Sequence, residues 1–203
     1  FKGDTTDEAF RASVFDTISS QYGPVTLCVP AAGITRDDLA LRIDKATGKA
    51  RIYPVETFKL VVDVNLIAPV YWALEMIGRI AEDRAAKGLK RWQADEGMQG
   101  SVVFIGSISS QGNKGQVSYA STKAGLEGAA ATIMKEAMFH GVRCGVIICE
   151  DLQAFRLKFY AENGEELDAW DTAVSRDQQQ GKPPVMVAVE LAVENKKDAD
   201  KPH

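Results

Sequence analysis

Residues 101–131 read SVVFIGSISSQGNKGQVSYASTKAGLEGAAA. The opening run Ser101-Val102-Val103-Phe104-Ile105 is short and apolar, the pattern of a buried strand. It gives way to a loop punctuated by Gly106, Gly112 and Gly115 that also carries Ser107, Ser109, Ser110 and Asn113. The small-residue stretch that follows reads as a helix bearing Tyr119 and Lys123, one turn apart. Side chains at i and i+4 share a helical face, so a phenol and an ammonium occupy one space. A free tyrosine titrates near pH ~10, and a neighbouring cation favours its phenolate. The pair thus has the makings of a proton donor and acceptor, with a serine at the strand end to hold a substrate oxygen. A lysine reaching solvent beside a packed tyrosine has the same spacing; the serine-rich strand exit is what sets this instance apart.

Two further apolar runs, residues 25–29 and 142–148, read as buried strands. Ala9, Phe10, Val14, Phe15 and Ile18 recur at helical spacing before the first of them, after an acidic entry at residues 4–8. Between the first strand and residue 101 lie the compact turn Pro30-Ala31-Ala32-Gly33, a polar stretch and a long apolar helix over about residues 55–86. The turn either lets a ligand approach the backbone or is a tight packing bend. Leu41-Arg42-Ile43 and Arg51-Ile52-Tyr53 flank an exposed hairpin or loop. Within the long helix Asn65 is a polar amide among apolar residues, and burial obliges it to find a partner. A structural water or a local helix distortion would also accommodate it, and Pro69 is placed to bend the helix near its carbonyl.

More than 30 residues separate successive strands, as helical crossovers between parallel strands require. The expected fold is a three-layer, Rossmann-like α/β parallel sheet, with ligands beyond the carboxyl ends of its strands. Residues 152–159 read as a helix, residues 185–193 as a helix or a strand with the helix preferred after Pro183-Pro184, and residues 162–181 as a charged peripheral segment.

A chain of 203 residues, 45% apolar and with a formal charge of −4, is expected to form one soluble domain over residues 1–203. No basic patch with interleaved aromatics points to nucleic acid. Cys28, Cys144 and Cys149 have neither metal nor disulfide-scaffold spacing, so a reducing, cytoplasmic setting and no metal site are expected. No apolar run of membrane-spanning length and no leader are read from the sequence.

Tyr119-Ala120-Ser121-Thr122-Lys123-Ala124-Gly125, Gly112-Asn113-Lys114-Gly115-Gln116, Asp63-Val64-Asn65-Leu66 and Ala31-Ala32-Gly33-Ile34-Thr35-Arg36-Asp37 together resemble the short-chain dehydrogenase/reductase family. The branch they resemble is the 3-oxoacyl-acyl-carrier-protein reductases, over residues 4–148. The resemblance implies an oxidoreductase that interconverts a carbonyl and a secondary alcohol with NAD or NADP, the preference between them being undeterminable from these residues. It implies Tyr119 as acid or base, Lys123 as ribose ligand and tuner of the tyrosine, and Asn65 as anchor, through its backbone, of a water. Asp4, Ala32 and Gly33 would lie along the cofactor. The family's serine falls thirteen residues before the tyrosine, which here is Gly106, so Ser107 is preferred over Ser109 and Ser110.

Departures from the pattern are Pro30 and Ala31 in place of two asparagines, Cys149-Glu150 in place of Pro-Gly, and Ala154 in place of a threonine. The N-terminal strands and glycine-rich loop of the family are missing, so the chain is expected to be N-terminally incomplete. Residues 150–181 are expected on the substrate side or periphery. By resemblance the protein is expected to be a homodimer or homotetramer acting on a small-molecule carbonyl or alcohol. The competing reading is a cofactor-free or inactive binding subunit.

Overall fold

A computed structural model describes residues 1–148 in full; of the remainder it describes the backbone of Leu152–Tyr160, Glu166–Leu167 and Met186–Val193. The chain divides into two compact units, Phe1–Ile148 and Cys149–His203.

In the first unit Asp7 caps helix α1 (Glu8–Tyr22), its carboxylate accepting from the Phe10 N–H at 2.9 Å, as the acidic entry predicts. Strand β1 (Leu27–Cys28) is the paired centre of the apolar run at residues 25–29. The antiparallel hairpin of β2 (Leu41–Ile43) and β3 (Ala50–Ile52) follows, its strand residues all exposed. Its turn is closed by Asp44, whose carboxylate accepts from the Ala46 and Thr47 N–H groups, an Asx-type arrangement that sets the reversal.

The long apolar helix is present but in three parts. Helix α2 (Val55–Val62) runs into a π-helical turn, Asp63–Ile67, and on into α3 (Ala68–Ala86). The widened turn is marked by Ala68 N–H donating to the Asp63 carbonyl, five residues back. Pro69 has no N–H for the Asn65 carbonyl four residues earlier, so the α-pattern cannot close at this point. The whole helical stretch Val55–Ala86, 32 residues with a mean hydropathy of 1.6 in its most apolar window, is long and apolar enough to cross a membrane. That corrects the expectation from the sequence, where a search for uninterrupted apolar runs passes over a helix whose charges are spaced apart. Here the helix packs on the sheet through the fully buried Ala73 and Met76 and through Ile80.

Strands β4 (Gly100–Ile105) and β5 (Val142–Ile147) flank helix α4 (Val117–Ala137), and the sheet order is β1-β4-β5, all parallel. Val102, Phe104, Val142 and Cys144 point to one face, where α3 and α4 cover them with Met76, Leu126 and Ile133. This is the Rossmann-like α/β arrangement expected from the spacing of the apolar runs. The charged connection between α3 and β4 is pinned, not loose. Buried Arg84 pairs with Glu96 at 2.6 Å and donates to the Lys90 carbonyl at 3.1 Å. Trp92 covers the flank of the core at Gly141, donating its backbone N–H to the Phe139 carbonyl at 2.8 Å. A Cβ on Gly141 would collide with the Trp92 ring.

In the second unit β6 (Leu152–Tyr160) pairs antiparallel with β7 (Glu166–Leu167) and β8 (Met186–Val193), in the order β7-β6-β8. These strands overturn the helix expected over residues 152–159 and, for residues 185–193, answer to the strand alternative and not to the preferred helix. Phe155, Leu157 and Phe159 alternate with Arg156 and Lys158, and Val187, Val189, Leu191 and Val193 alternate with smaller or charged residues. A period of two is a strand signal that outweighs helical anchors drawn from two or three positions. Ala154 lies in β6; Cys149, Glu150, Asp151 and most of residues 161–185 lie outside the described residues.

Candidate active site

The carboxyl end of β4 brings together Lys123, Tyr119 and Ser107 of the sequence-predicted residues. Lys123 is 7% exposed, and its ammonium donates to the carbonyl of Ile105, the last residue of β4, at 2.6 Å. Among the described residues no carboxylate lies within ion-pair distance of it. Burial without a counter-charge lowers its pKa from the ordinary lysine value. The Lys123 ammonium also stands 5.4 Å from the centroid of the half-buried Tyr119 ring. The i, i+4 pairing is therefore a contact between a ring and a cation turned inward, and the reading of Lys123 as a solvent-reaching lysine does not hold.

Ser107 follows the strand by two residues and caps the short 3-10 turn Ile108–Gln111, its Oγ accepting from the Ser109 N–H at 3.2 Å. The position thirteen residues before Tyr119 is closed to a serine. A Cβ on buried Gly106 would come within 2.7 Å of Val146 Cγ1 and 2.9 Å of Ile148 Cγ1. Ser109 is buried and its hydroxyl is engaged with the side-chain oxygen of Gln116 at 2.9 Å. Ser107 is half-buried at the strand exit, and Ser110 is half-buried in the 3-10 turn, its Oγ accepting from Gln111 Nε2 at 3.5 Å.

Asn65 is 1% exposed and has found its partner. Its Oδ1 accepts from the Ile34 N–H at 2.8 Å and its Nδ2 donates to the Ile34 carbonyl at 2.7 Å. One amide thus fastens both backbone groups of the residue after Gly33, and the π-turn answers the second alternative, helix distortion, at the same place. Leu66 lies where a Cβ on Gly125 would approach it at 3.0 Å, so Gly125 lets α4 come close to the Asn65 turn. Ala32 and Gly33 are exposed beyond β1. Gly33 has an ordinary backbone, and a Cβ there would meet only the Asn65 side chain, nearest at Oδ1 and 3.5 Å away. The turn is an open edge, not a packing bend.

Asp4 stands before α1, exposed, and its Oδ1 accepts from the Thr6 N–H and hydroxyl, both at 2.8 Å. Those two hydrogen bonds, the backbone one first, lower its pKa. Its carboxylate turns back on its own loop in this way.

The residues that sequence reasoning missed are the ones whose partners are remote. They are the Ile105 carbonyl, Gln116, Ser118 and Tyr53. Gln116 alone had a signal, as the last residue of the Gly-Asn-Lys-Gly-Gln loop. Among the described residues no group of three or more His, Cys, Asp or Glu side chains is arranged to hold a metal.

A helix-flanked parallel sheet with a buried lysine and a tyrosine at its carboxyl edge defines a Rossmann-like α/β protein. The family model of the short chain dehydrogenases matches residues 1–158, and the chain belongs to that family. It is similar to 3-oxoacyl-acyl-carrier-protein reductase FabG of Escherichia coli (strain K12), 29% identical over 143 residues, 70% of this chain and 49% of that protein. It is 32% identical over 150 residues to (3R)-3-hydroxyacyl-CoA dehydrogenase of Mus musculus, covering 73% of this chain and 49% of the relative. The 3-oxoacyl-acyl-carrier-protein reductase MabA of Mycobacterium avium is 29% identical over 145 residues, 71% of this chain and 48% of its own length. The chain spans about half the length of these relatives.

Proposed function

We propose that this chain carries the catalytic half of an NAD- or NADP-dependent oxidoreductase that interconverts a carbonyl and a secondary alcohol, with 3-oxoacyl thioesters as the leading substrate class. The observation that carries the reading is the inward Lys123 ammonium, bonded to the strand end and set against the Tyr119 ring. A buried cation without a carboxylate is costly unless a ligand or reacting group uses it. The residues present fit the nicotinamide side of a dinucleotide: an exposed turn at Ala32 and Gly33, and a lysine with donors to spare for a ribose hydroxyl. The cofactor, when bound, supplies the hydride.

In this reading Tyr119 holds the proton that the carbonyl oxygen takes up on reduction, and receives it back on oxidation. Lys123 keeps its orientation through the Ile105 carbonyl and sets its charge beside the Tyr119 ring. Ser107 donates to the substrate oxygen from the opposite side, where a developing negative charge is stabilised. The carbonyl of Asn65, which Pro69 cannot engage, anchors the water through which Lys123 exchanges protons with solvent. The exposed stripe of Val117, Ser121, Ala124, Gly128 and Ala131 on α4, with Leu60, Ile67 and Leu74 on the long helix, supports self-association as a dimer or tetramer. The free, buried Cys28 and Cys144 suit a reducing compartment.

Fluorescence titration of the intact protein with NADH and NADPH tests the reading. Binding of one or both is expected, and Tyr119→Phe should then lower turnover by about 100-fold or more with cofactor affinity little changed. Absence of binding at about 1 mM, the upper end of ordinary KM values, would sink it in favour of a cofactor-free binding subunit.

A further inference from the structure

The strap of residues 34–53, between β1 and the long helix, is tied across the entry of α4 at three points. Asp38 donates its backbone N–H to the Gly115 carbonyl at 2.9 Å. Gln116, the residue that caps α4, donates its amide to the Asp37 carboxylate at 2.8 Å and accepts from Ser109 Oγ and Asn113 Nδ2. The third tie is Tyr53. Its phenol donates to the Arg36 carbonyl at 2.6 Å and lies 3.0 Å from Ser118 Oγ. A carbonyl can only accept, so the phenol spends its one proton on Arg36 and the Ser118 hydroxyl donates to the phenol oxygen. Ser118 is 1% exposed, and among the described residues the phenol is the partner its hydroxyl finds.

We propose that Tyr53 is a positioning residue for the reaction centre, its phenol fixing the first turn of the Tyr119 helix through Ser118. Ser118 immediately precedes Tyr119, so the bond sets the rotation of the turn from which the Tyr119 ring projects. The hairpin is what holds Tyr53 in reach. Arg42 and Arg51 face each other across β2 and β3 and both pair with Asp38, at 2.5 and 2.7 Å. The Tyr53 N–H itself donates to the Ala40 carbonyl at 2.9 Å. An isolated two-stranded hairpin is marginal in water, and this clamp joins it to the same loop that carries Gly115 and Gln116. A small displacement of a reacting group costs rate out of proportion to its effect on stability.

The inference rests on the reading of Tyr119 as the acid, and two readouts keep the two ideas apart. In the intact protein Tyr53→Phe keeps the ring and removes the bond to Ser118 together with that to the Arg36 carbonyl. It should lower kcat about tenfold, the scale of one lost buried hydrogen bond, with KM for the cofactor unchanged. Ser118→Ala should do the same, and the double variant should be no slower than Tyr53→Phe alone, because the bond that Ser118 loses is one of the two that the phenol makes. Should Tyr53→Phe fail to fold, Ser118→Ala carries the same test. Amide exchange in the first turn of α4, at Ala120 and Ser121, should accelerate about tenfold in each variant while the remainder of α4 keeps its protection. Unchanged exchange, or additive losses in the double variant, overturns the inference. Faster exchange in a protein that shows no turnover at all overturns the oxidoreductase reading and leaves the tether standing.

Discussion

The Lys123 ammonium donates to the Ile105 carbonyl at 2.6 Å, joining the middle of a helix turn to the last residue of the central strand. This bond fixes the cation at the carboxyl edge of the sheet, where the strands β1 and β4 end. It also removes the ammonium from water, which is why its pKa is lowered by burial.

A stability signature follows, and its sign is set by linkage. The folded-state value lies below the ordinary 10.5, so the unfolded chain binds this proton more tightly. Stability is therefore reduced while Lys123 is charged and rises with pH between the folded value and the unfolded one. Lys123→Met should abolish that rise, seen as urea midpoints that no longer increase from neutrality toward about pH 10. The same variant should lower kcat/KM by about 100-fold or more.

Gly106 sits where the serine would be expected by count, and its place explains why it is glycine. Gly106→Ser should destabilise by about 1–3 kcal/mol through contact with Val146 and Ile148, read by chemical denaturation. Activity should not survive transfer of the hydroxyl from Ser107 to this position in Gly106→Ser/Ser107→Ala. A double variant as active as the native protein would show that Ser107 is not the oxygen-binding serine.

Asn65 can be separated from its shape by two substitutions. Asn65→Leu leaves both Ile34 backbone groups without their partner and should cost about 2 kcal/mol. Asn65→Asp keeps the acceptor for the Ile34 N–H but turns an oxygen toward the Ile34 carbonyl. Protonated, that carboxyl can still donate; ionised, it is a buried charge facing an acceptor, so its folded pKa is raised. Stability of Asn65→Asp should thus be retained below about pH 3.9, the unfolded carboxyl value, and lost as pH rises through the folded one. A pH-independent difference between Asn65→Asp and the native protein would contradict this geometry.

The parts legible in the sequence are those with a local period. The apolar runs around Leu27, Val102 and Val142 announce a parallel sheet, and the four-residue step from Tyr119 to Lys123 announces a shared face. Asn65 is legible as a polar residue in need of a partner, but not the identity of Ile34, 31 residues away. The Tyr53–Ser118 bond spans 65 residues and the Gln116–Asp37 bond 79, and no local window of sequence contains both ends of either. Gly106 aligns with a serine by count because counting residues ignores what the neighbouring strand places beside them. The strands β6 and β8 escape for the opposite reason: their alternation is local and visible, and a few helically spaced anchors compete with it.

Cys28 and Cys144 sit opposite Val102 on its two neighbouring strands, in one row across the sheet. Burial pushes the Cys28 thiol up to about 12 and the Cys144 thiol up to about 11, and the thiolate is the reactive form. An alkylating reagent can therefore reach either sulfur only after the β1-β4-β5 sheet has come apart. The centre of the fold carries its own clock, in which the rate of capture at Cys28 and Cys144, resolved from that at Cys149, counts openings of the sheet and is blind to fraying of the hairpin or the helix ends.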